Sequence, residues 1–336
     1  MKRRITIKDI AKELNVHHST VSRALRNDAR VNEGTRDLIL AYAREHDYQT
    51  NMNAVQLRGT ENNTIALIVP NINHTFFSDI ISQLTNIAYN SNYIISVFQS
   101  NEDYLQEVNI INTIIKQNYA GVIASISTQT TESKHYKLLQ TFGIPLVFFD
   151  RMCADIQTPK VLVNNFDITF EATEFLINKG YKRIAHITGP THINVFSERL
   201  KGYTEALVKH KHCFELNMEF DEEFSVELGK QSLMRLMSVP EKPDAIISSS
   251  TLITMGIALQ AKEMQLEIPS QLGLIVFGNH LGTEVMSPKL TSISQPEDEI
   301  AALSFDLLIQ MINNELPIGS NSTKEVKAVI IHRESC

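Results

Sequence analysis

The sequence predicts an α/β protein in two parts: a small all-helical head, then a body of two lobes, each a doubly wound parallel sheet. Three observations carry this. The first 60 residues contain short helix-period segments and no strand-like run. From residue 64 onward, short β-branched-rich apolar runs alternate with amphipathic segments, the pattern of βαβ units. The charge also divides. Residues 1–60 hold 11 Lys and Arg against 7 Asp and Glu, whereas residues 61–336 hold 20 against 31, for a net charge of −7. Such asymmetry suggests a basic partner-binding head on an acidic body.

In the head, Thr6–Leu14 opens with a capping threonine and an acid three residues later, and Ile7, Ile10, Ala11 and Leu14 recur at helical spacing. A second helix runs through His18–Leu25, with Val16, Val21 and Leu25 as its buried side. A third runs from near Asn32 to about Asp47, with Thr35, Leu38, Ile39, Tyr42 and Ala43 turned inward. A short apolar-spaced piece, Asn53–Leu57, precedes a polar linker, Gly59–Asn63. The first two helices make a helix-turn-helix candidate whose second helix presents His18, Ser19, Ser22 and Arg23, all able to donate to base edges or phosphates.

In the body the expected strands are Thr64–Pro70, Tyr93–Ser100, Ala120–Ile126, Pro145–Asp150, Lys160–Asn165, Arg183–Gly189, Ala245–Ser250, Leu272–Gly278 and, more weakly, Val326–His332. Their near-continuous apolar character fits strands covered on both faces. About 270 residues of this pattern exceed one open sheet, hence two lobes. Ligands of such sheets bind beyond the carboxyl ends of strands. The segments of interest are therefore Asn71–Phe77, which includes Asn73, and Asp150-Arg151, Asn164–Asp167, Pro190–Arg199, Ser250-Thr251 and Asn279-His280. Two lobes would bring them together in a cleft.

Composition excludes much else. At 43% apolar residues the chain has material for ordinary cores. Three cysteines (Cys153, Cys213, Cys336) without CxxC spacing argue against a disulfide framework or a zinc ribbon, and for a reducing compartment. No apolar run reaches a membrane span, and the basic start lacks a following apolar stretch, so a soluble cytoplasmic protein is expected. No phosphate-binding glycine loop, GxSxG, HExxH or paired-carboxylate constellation occurs. No catalytic residue, metal site or cofactor is therefore predicted.

The order of residues says more. Thr6-Ile7-Lys8-Asp9-Ile10-Ala11, Val16-x-x-x-Thr20-Val21-Ser22-Arg23-Ala24-Leu25, Val31-Asn32-x-x-Thr35-Arg36 and Tyr48-x-x-Asn51 closely resemble the LacI/GalR family of transcriptional regulators. The likeness continues in Ser197-x-Arg199-x-x-Gly202-Tyr203, Gly180–Pro190 and Leu290–Pro296, so it covers essentially the whole chain. It implies a periplasmic-binding-protein-like body. Residues 1–60 would be the DNA-binding head, with a hinge helix at about 51–59. Residues 61–336 would bind an effector and dimerise, with an N-lobe at about 62–162 and 292–323 and a C-lobe at about 163–291 and 324–336. Crossovers would fall near residues 163, 291 and 324.

Carried over by position, His18, Ser19 and Arg23 would read bases. Thr6, Ser22, Arg30, Asn32, Thr35 and Asn51 would anchor phosphates. Ala54 and Leu57 would meet DNA from the hinge, Leu57 as a minor-groove wedge of the kind that unstacks a base step. So short a helix is marginal alone, which makes its order dependent on DNA and dimer contacts. The effector site would use Asn73, Phe76, Phe77, Asp150, Arg199, Phe224, Ser250, Asn279 and Gln295. Partners implied are a pseudo-palindromic double-stranded operator, a second copy of the chain, and a small effector that is a sugar or a sugar phosphate or acid. No membrane partner is implied. The absence of a heptad tail favours a dimer.

Four departures from the family pattern stand out. His17 replaces the usual serine N-cap of the second helix, a poor cap that Asn15 or bound phosphate would have to offset. Thr50 replaces the proline before the hinge. In the effector site Ser250-Thr251 stands for an Asn-Asp pair and Asn279 for an aspartate, so two carboxylates that would grip hydroxyls are gone while Arg199 stays. Three readings remain open: a neutral sugar with altered contacts, an anionic sugar derivative, or a body that binds no small molecule and serves as a dimerisation or protein-docking scaffold. His74 and His280 are expected as exposed loop histidines. A stand-alone small-molecule binding protein is the remaining rival; the basic head and the missing leader speak against it.

Overall fold

The computed structural model describes residues 5–46, 48, 62–211, 216–220 and 224–336. The chain divides into two compact units, Met1–Glu61 and Asn62–Cys336.

In the head, α1 (Ile7–Glu13), α2 (His18–Ala24) and α3 (Glu33–Glu45) pack around Ile10, Val21, Ala24, Val31 and Ile39. Thr6 caps α1 in a reciprocal box: its amide and hydroxyl donate to Asp9 Oδ2, and its Oγ1 accepts the Asp9 amide. The turn to α2 passes through Asn15 at φ 49°, a left-handed conformation asparagine tolerates. At the start of α2, His17 does cap, contrary to expectation. Its Nδ1 accepts the Ser19 amide at 3.3 Å and lies 2.8 Å from Ser19 Oγ. Asn32 caps α3 through Oδ1, which accepts the Gly34 amide at 3.0 Å. Ile39 and Ala43 face the core as expected, but Leu38, also expected inside, is 54% exposed.

The body contains two six-stranded sheets. The first has the order β11-β5-β4-β3-β1-β2, from β1 (Thr64–Val69), β2 (Ile94–Gln99), β3 (Gly121–Ala124), β4 (Leu146–Phe149), β5 (Lys160–Val163) and β11 (Thr323–Val326). The second has the order β12-β10-β9-β8-β6-β7, from β6 (Ile184–Thr188), β7 (Leu216–Glu219), β8 (Ala245–Ser248), β9 (Gly273–Phe277), β10 (Thr291–Ser294) and β12 (Val329–Ile331). Among the described residues every pairing is parallel except β10 with β12. One apolar cluster continues through both lobes, from Ile65, Leu67 and Phe149 to Ile184, Ile247 and Ile293. Separate clusters cover the remaining sheet face of each lobe.

Three elements differ from expectation. β7 is short and half exposed, with no β-branched run to announce it. β10 (Thr-Ser-Ile-Ser) is buried although mostly polar, because the C-terminal segment supplies its partners: the Thr291 amide donates to Ser335 Oγ and Arg333 reaches Ser292. The run expected at Val326–His332 is two strands in different sheets, β11 and β12, with the turn between them tied by Asn164 Oδ1 accepting the Ala328 amide. Since β10 belongs to the second sheet, the middle crossover falls after Ser294, a few residues beyond the expected border at 291–292.

The helices of the first lobe are α4 (Thr75–Asn90), α5 (Tyr104–Gln117), α6 (Lys134–Thr141) and α12 (Glu297–Ile312). Those of the second are α7 (Asn165–Asn178), α8 (Asn194–Lys209), α9 (Val226–Ser238), α10 (Thr251–Glu263) and α11 (Leu281–Val285). α8 presses closely on α7: a Cβ at Gly202 would come within 2.2 Å of the Phe166 carbonyl oxygen. That approach fixes the height of Arg199, one turn earlier.

Candidate functional site

The carboxyl ends of both sheets open onto one cleft of about 580 Å³, counting its open mouth. The first lobe supplies His74, Phe76, Phe77 and Asp79 from the start of α4, and Asp150 and Arg151 from the end of β4. The second supplies Phe196 and Arg199 from α8, Phe224, Ser249 beyond β8, and Phe277 and Asn279 at the end of β9. Gln295 and Glu297 enter at the crossover that leads into α12.

Arg199 is the central cation. It is 4% exposed, its Nε donates to Asn165 Oδ1 at 2.8 Å, and its guanidinium lies 3.5 Å from the Phe277 ring centroid. Burial lowers its pKa to about 9 despite the pull of Asp150. Arg151 is matched by Glu102, whose two oxygens accept from Nη1 at 2.8 and 3.1 Å. Asp150 adopts φ 57°, strained for a non-glycine residue, and its buried carboxyl is raised by desolvation against the opposing pull of Arg151 and Arg199. His74 is half-buried; desolvation, and then the charge of Arg151, lower its pKa to about 4, so it is a neutral ring at neutral pH. Burial raises the Glu297 carboxyl to about 7, and Asp79 and Asp298 add to the rise. His74 Nδ1, Ser249 Oγ, Gln295 Nε2 and Arg151 Nε are buried with no hydrogen-bond partner among the described residues. Buried polar atoms are normally satisfied, so a group of them around one cleft points to a ligand that completes them.

Of the expected effector residues, Phe76, Phe77, Asp150, Arg199, Phe224, Asn279 and Gln295 line the cleft. Asn73 does not: it sits exposed in the loop, its amide donating to Asn71 Oδ1. Ser250 does not either. It is the fully buried N-cap of α10, its carbonyl accepts from Ser248 and Thr254 hydroxyls, and Ser249 faces the cleft in its place. The exposed-loop expectation for the histidines also fails. His74 is half-buried in the cleft wall with its Nδ1 enclosed, and His280 is half-buried as the cap of α11, its Nδ1 accepting the Gly282 amide. Arg151 and Phe196 lie in strand-end segments that the sequence singled out, though without a role of their own, whereas Asp79 and Glu297 escape sequence reasoning because nothing local marks them. Their positions beside strand ends were the only available signal, and the strand ending at β10 was not foreseen.

The head presents a second surface. His18 and Arg23 lie exposed on α2. Ser19 is engaged with His17, and Ser22 Oγ accepts from Arg26 Nη2 at 3.2 Å. Arg30 is exposed and bidentate on Asp28, whose carboxyl it holds well below the usual range. Thr6 caps α1, while Asn32 and Thr35 stand at the amino end of α3, where unpaired amides attract anions. Asn51, Ala54 and Leu57 lie outside the described residues.

Residues 6–51 match the model of bacterial regulatory proteins of the lacI family, and residues 173–336 match a periplasmic binding protein-like domain. The HTH-type transcriptional repressor CytR of Escherichia coli K12 is 30% identical over 94% of this chain and 92% of its own. The chain belongs to the lacI family. Another relative of this LacI-family regulator, catabolite control protein A of Priestia megaterium, is 27% identical over 93% of each chain. Among solved structures, a lac repressor dimer bound to operator and the anti-inducer ONPF matches with a TM-score of 0.85 over 99% of both chains at 19% identity. A CelR–cellobiose complex matches at 0.74, over 99% of this chain and all of its own, at 22% identity. These show the two-lobed fold and the helical head. Membership makes the protein a DNA-binding transcriptional regulator. Among the described residues no helix is long and apolar enough to cross a membrane, and no cluster of His, Cys, Asp and Glu converges on a metal position.

Proposed function

We propose that this regulator is a homodimeric repressor that reads a pseudo-palindromic operator with its head and adjusts its grip when a sugar or sugar derivative enters the inter-lobe cleft. It acts in the cytoplasm and catalyses no reaction. The observation that carries this reading is the presence, in one lacI-family chain, of a cleft ringed by partnerless buried polar atoms.

In the head, His18, Ser19 and Arg23 contact base edges, while Thr6, Ser22, Arg30, Asn32, Thr35 and Asn51 hold phosphates. Arg30 exchanges its partner Asp28 for phosphate, and Ala54 and Leu57 engage the minor groove. Residues 1–60 thus form the reading unit and residues 61–336 the sensing and dimerising unit.

Dimerisation is supported by apolar side chains left in solvent on both lobes. Tyr89, Ile94 and Leu105 stand on the first, and Leu252, Leu259, Leu281 (73% exposed) and Val285 (70%) on the second. Patches of this kind mark interfaces. Ligand closure of the cleft favours one lobe arrangement, moves the first lobes across the dimer and changes hinge spacing. Effector and operator then couple reciprocally, typically by about 1–3 kcal/mol.

Selection of a binding site from random duplexes, followed by gel shift at stated salt, tests the reading. Arg23→Ala is expected to weaken the selected site by about 1–3 kcal/mol and to relax one position per half-site. Equal affinity of the wild-type dimer for selected and random duplex, with and without ligand, would overturn it.

A further inference from the structure

One segment of the second lobe is fastened to the first. Residues 191–196 lead from β6 into α8. The base of the segment is held by its own lobe, where the Thr191 amide donates to Glu219 Oε1 at 2.7 Å. Beyond that point it crosses over. Ile193, Val195 and Phe196 are almost fully buried, and they share the apolar cluster of the first lobe with Ile126, Phe148 and Ile156. His192, exposed, sets its Nε2 2.7 Å from the Thr128 carbonyl oxygen. A carbonyl only accepts, so this ring nitrogen carries a hydrogen and donates.

Asn194 makes the closest tie. Its Nδ2 donates to the Asp150 carbonyl oxygen at 2.9 Å, and its Oδ1 accepts the Met152 amide at 3.0 Å. Backbone groups cannot exchange these roles, so the side-chain amide has one orientation. It bridges two residues that stand just past the end of β4, as a neighbouring strand would. Asp150 sits there at φ 57°, a conformation that persists only where its surroundings enforce it. Asparagine is favoured as a helix cap. Here it stands first in α8, behind an isoleucine that cannot cap, and its amide is turned to the other lobe instead. Arg199 rides the same helix five residues later. The tie that holds the Asp150 backbone therefore also sets how far its carboxyl stands from the guanidinium that attracts it.

We propose that Asn194 is a positioning residue that clamps the two lobes: it holds the Asp150 elbow of the first lobe against α8 of the second and, with His192 and the three apolar side chains, keeps this edge of the cleft closed. Each of these contacts is made by the chain itself, so closure here needs no effector. An effector acts on an equilibrium that the clamp already biases.

Hydrogen exchange of the full-length, ligand-free dimer, read by mass spectrometry, tests this. The informative amides are those of Ser127 and Thr128, which donate to Glu107 and Glu102 within the first lobe and touch neither Asn194 nor His192 side chains. They are expected to exchange slowly in the wild type. Asn194→Ala should speed exchange about tenfold or more both there and in residues 193–198, because the lobes part. Asn194→Asp keeps the acceptor for Met152 but loses the donor to Asp150, and should act in the same direction. His192→Ala, an exposed change that leaves folding safe, should give a smaller rise in the same two segments. Ligand-free operator affinity should shift about fivefold or more in Asn194→Ala, with the helical melt of the head unchanged, a readout that local packing alone would not move. Unchanged exchange in both segments would overturn the clamp, as would fast exchange there in the wild type or a change confined to the Met152 amide. Faster exchange with unaltered operator affinity would keep the clamp and overturn the coupling of lobe arrangement to the operator.

Discussion

Glu297 sits in the first turn of α12, where the helix dipole favours an anion, yet burial wins and lifts its carboxyl to about 7. Its folded pKa is above its unfolded value near 4.5, so the native state binds the extra proton between those limits. Stability from this group is therefore present below about pH 4.5 and lost as pH rises toward 7. Glu297→Gln is expected to flatten that part of the profile, measured as melting temperature from pH 4.5 to 8. An unchanged slope would exclude the burial effect. His17 gives a second residue-scale test. Its ring caps α2 only while Nδ1 keeps a lone pair. His17→Ala should destabilise the head by about 1 kcal/mol, while His17→Ser should hold or improve it; urea melts of the head's helical signal would distinguish the two. The sequence marked His17 as a weak cap because general preference omits imidazole. Only the local geometry, a ring folded back over Ser19, reveals the exception.

Among the elements, the α7–α8 contact decides where Arg199 stands. Gly202→Ala forces a Cβ against the Phe166 carbonyl. Overpacking of this kind typically costs about 1–3 kcal/mol, and the two helices must part to relieve it. The expected outcome is a lower melting temperature of the body and a lost effector response, with operator binding by the ligand-free protein retained. A full ligand response in the variant would show that Arg199 tolerates the shift. Strands with β-branched, continuous runs, such as β1 and β9, were legible because burial on both faces demands that composition. β7 and β10 were not. The first carries no such run, and the second is polar because Arg333 and Ser335, some forty residues later, satisfy it. Partners that distant leave no periodic trace.

For the molecule as a whole, the exposed apolar groups on α11 bear on assembly. Leu281→Glu with Val285→Glu should shift the protein toward monomer in sedimentation velocity and weaken operator binding in parallel, since two half-sites need two heads. A dimer that persists would remove this face from the interface. Operator affinity should also fall steeply with salt, as phosphate contacts require.

By itself the sequence determined the order and class of the elements, the helical head, the doubly wound body and the family, because local periodicity and motif spacing carry that information. It also named Arg199, Asp150 and the aromatic wall. Which neighbours close around them was decided only in three dimensions. Asn73 turned out to solvent, Ser249 replaced Ser250, and Glu297 arrived from the crossover into α12. A cleft's donors and acceptors depend on burial and on which side of an amide meets its partner, and neither is encoded within a few residues of the group it governs.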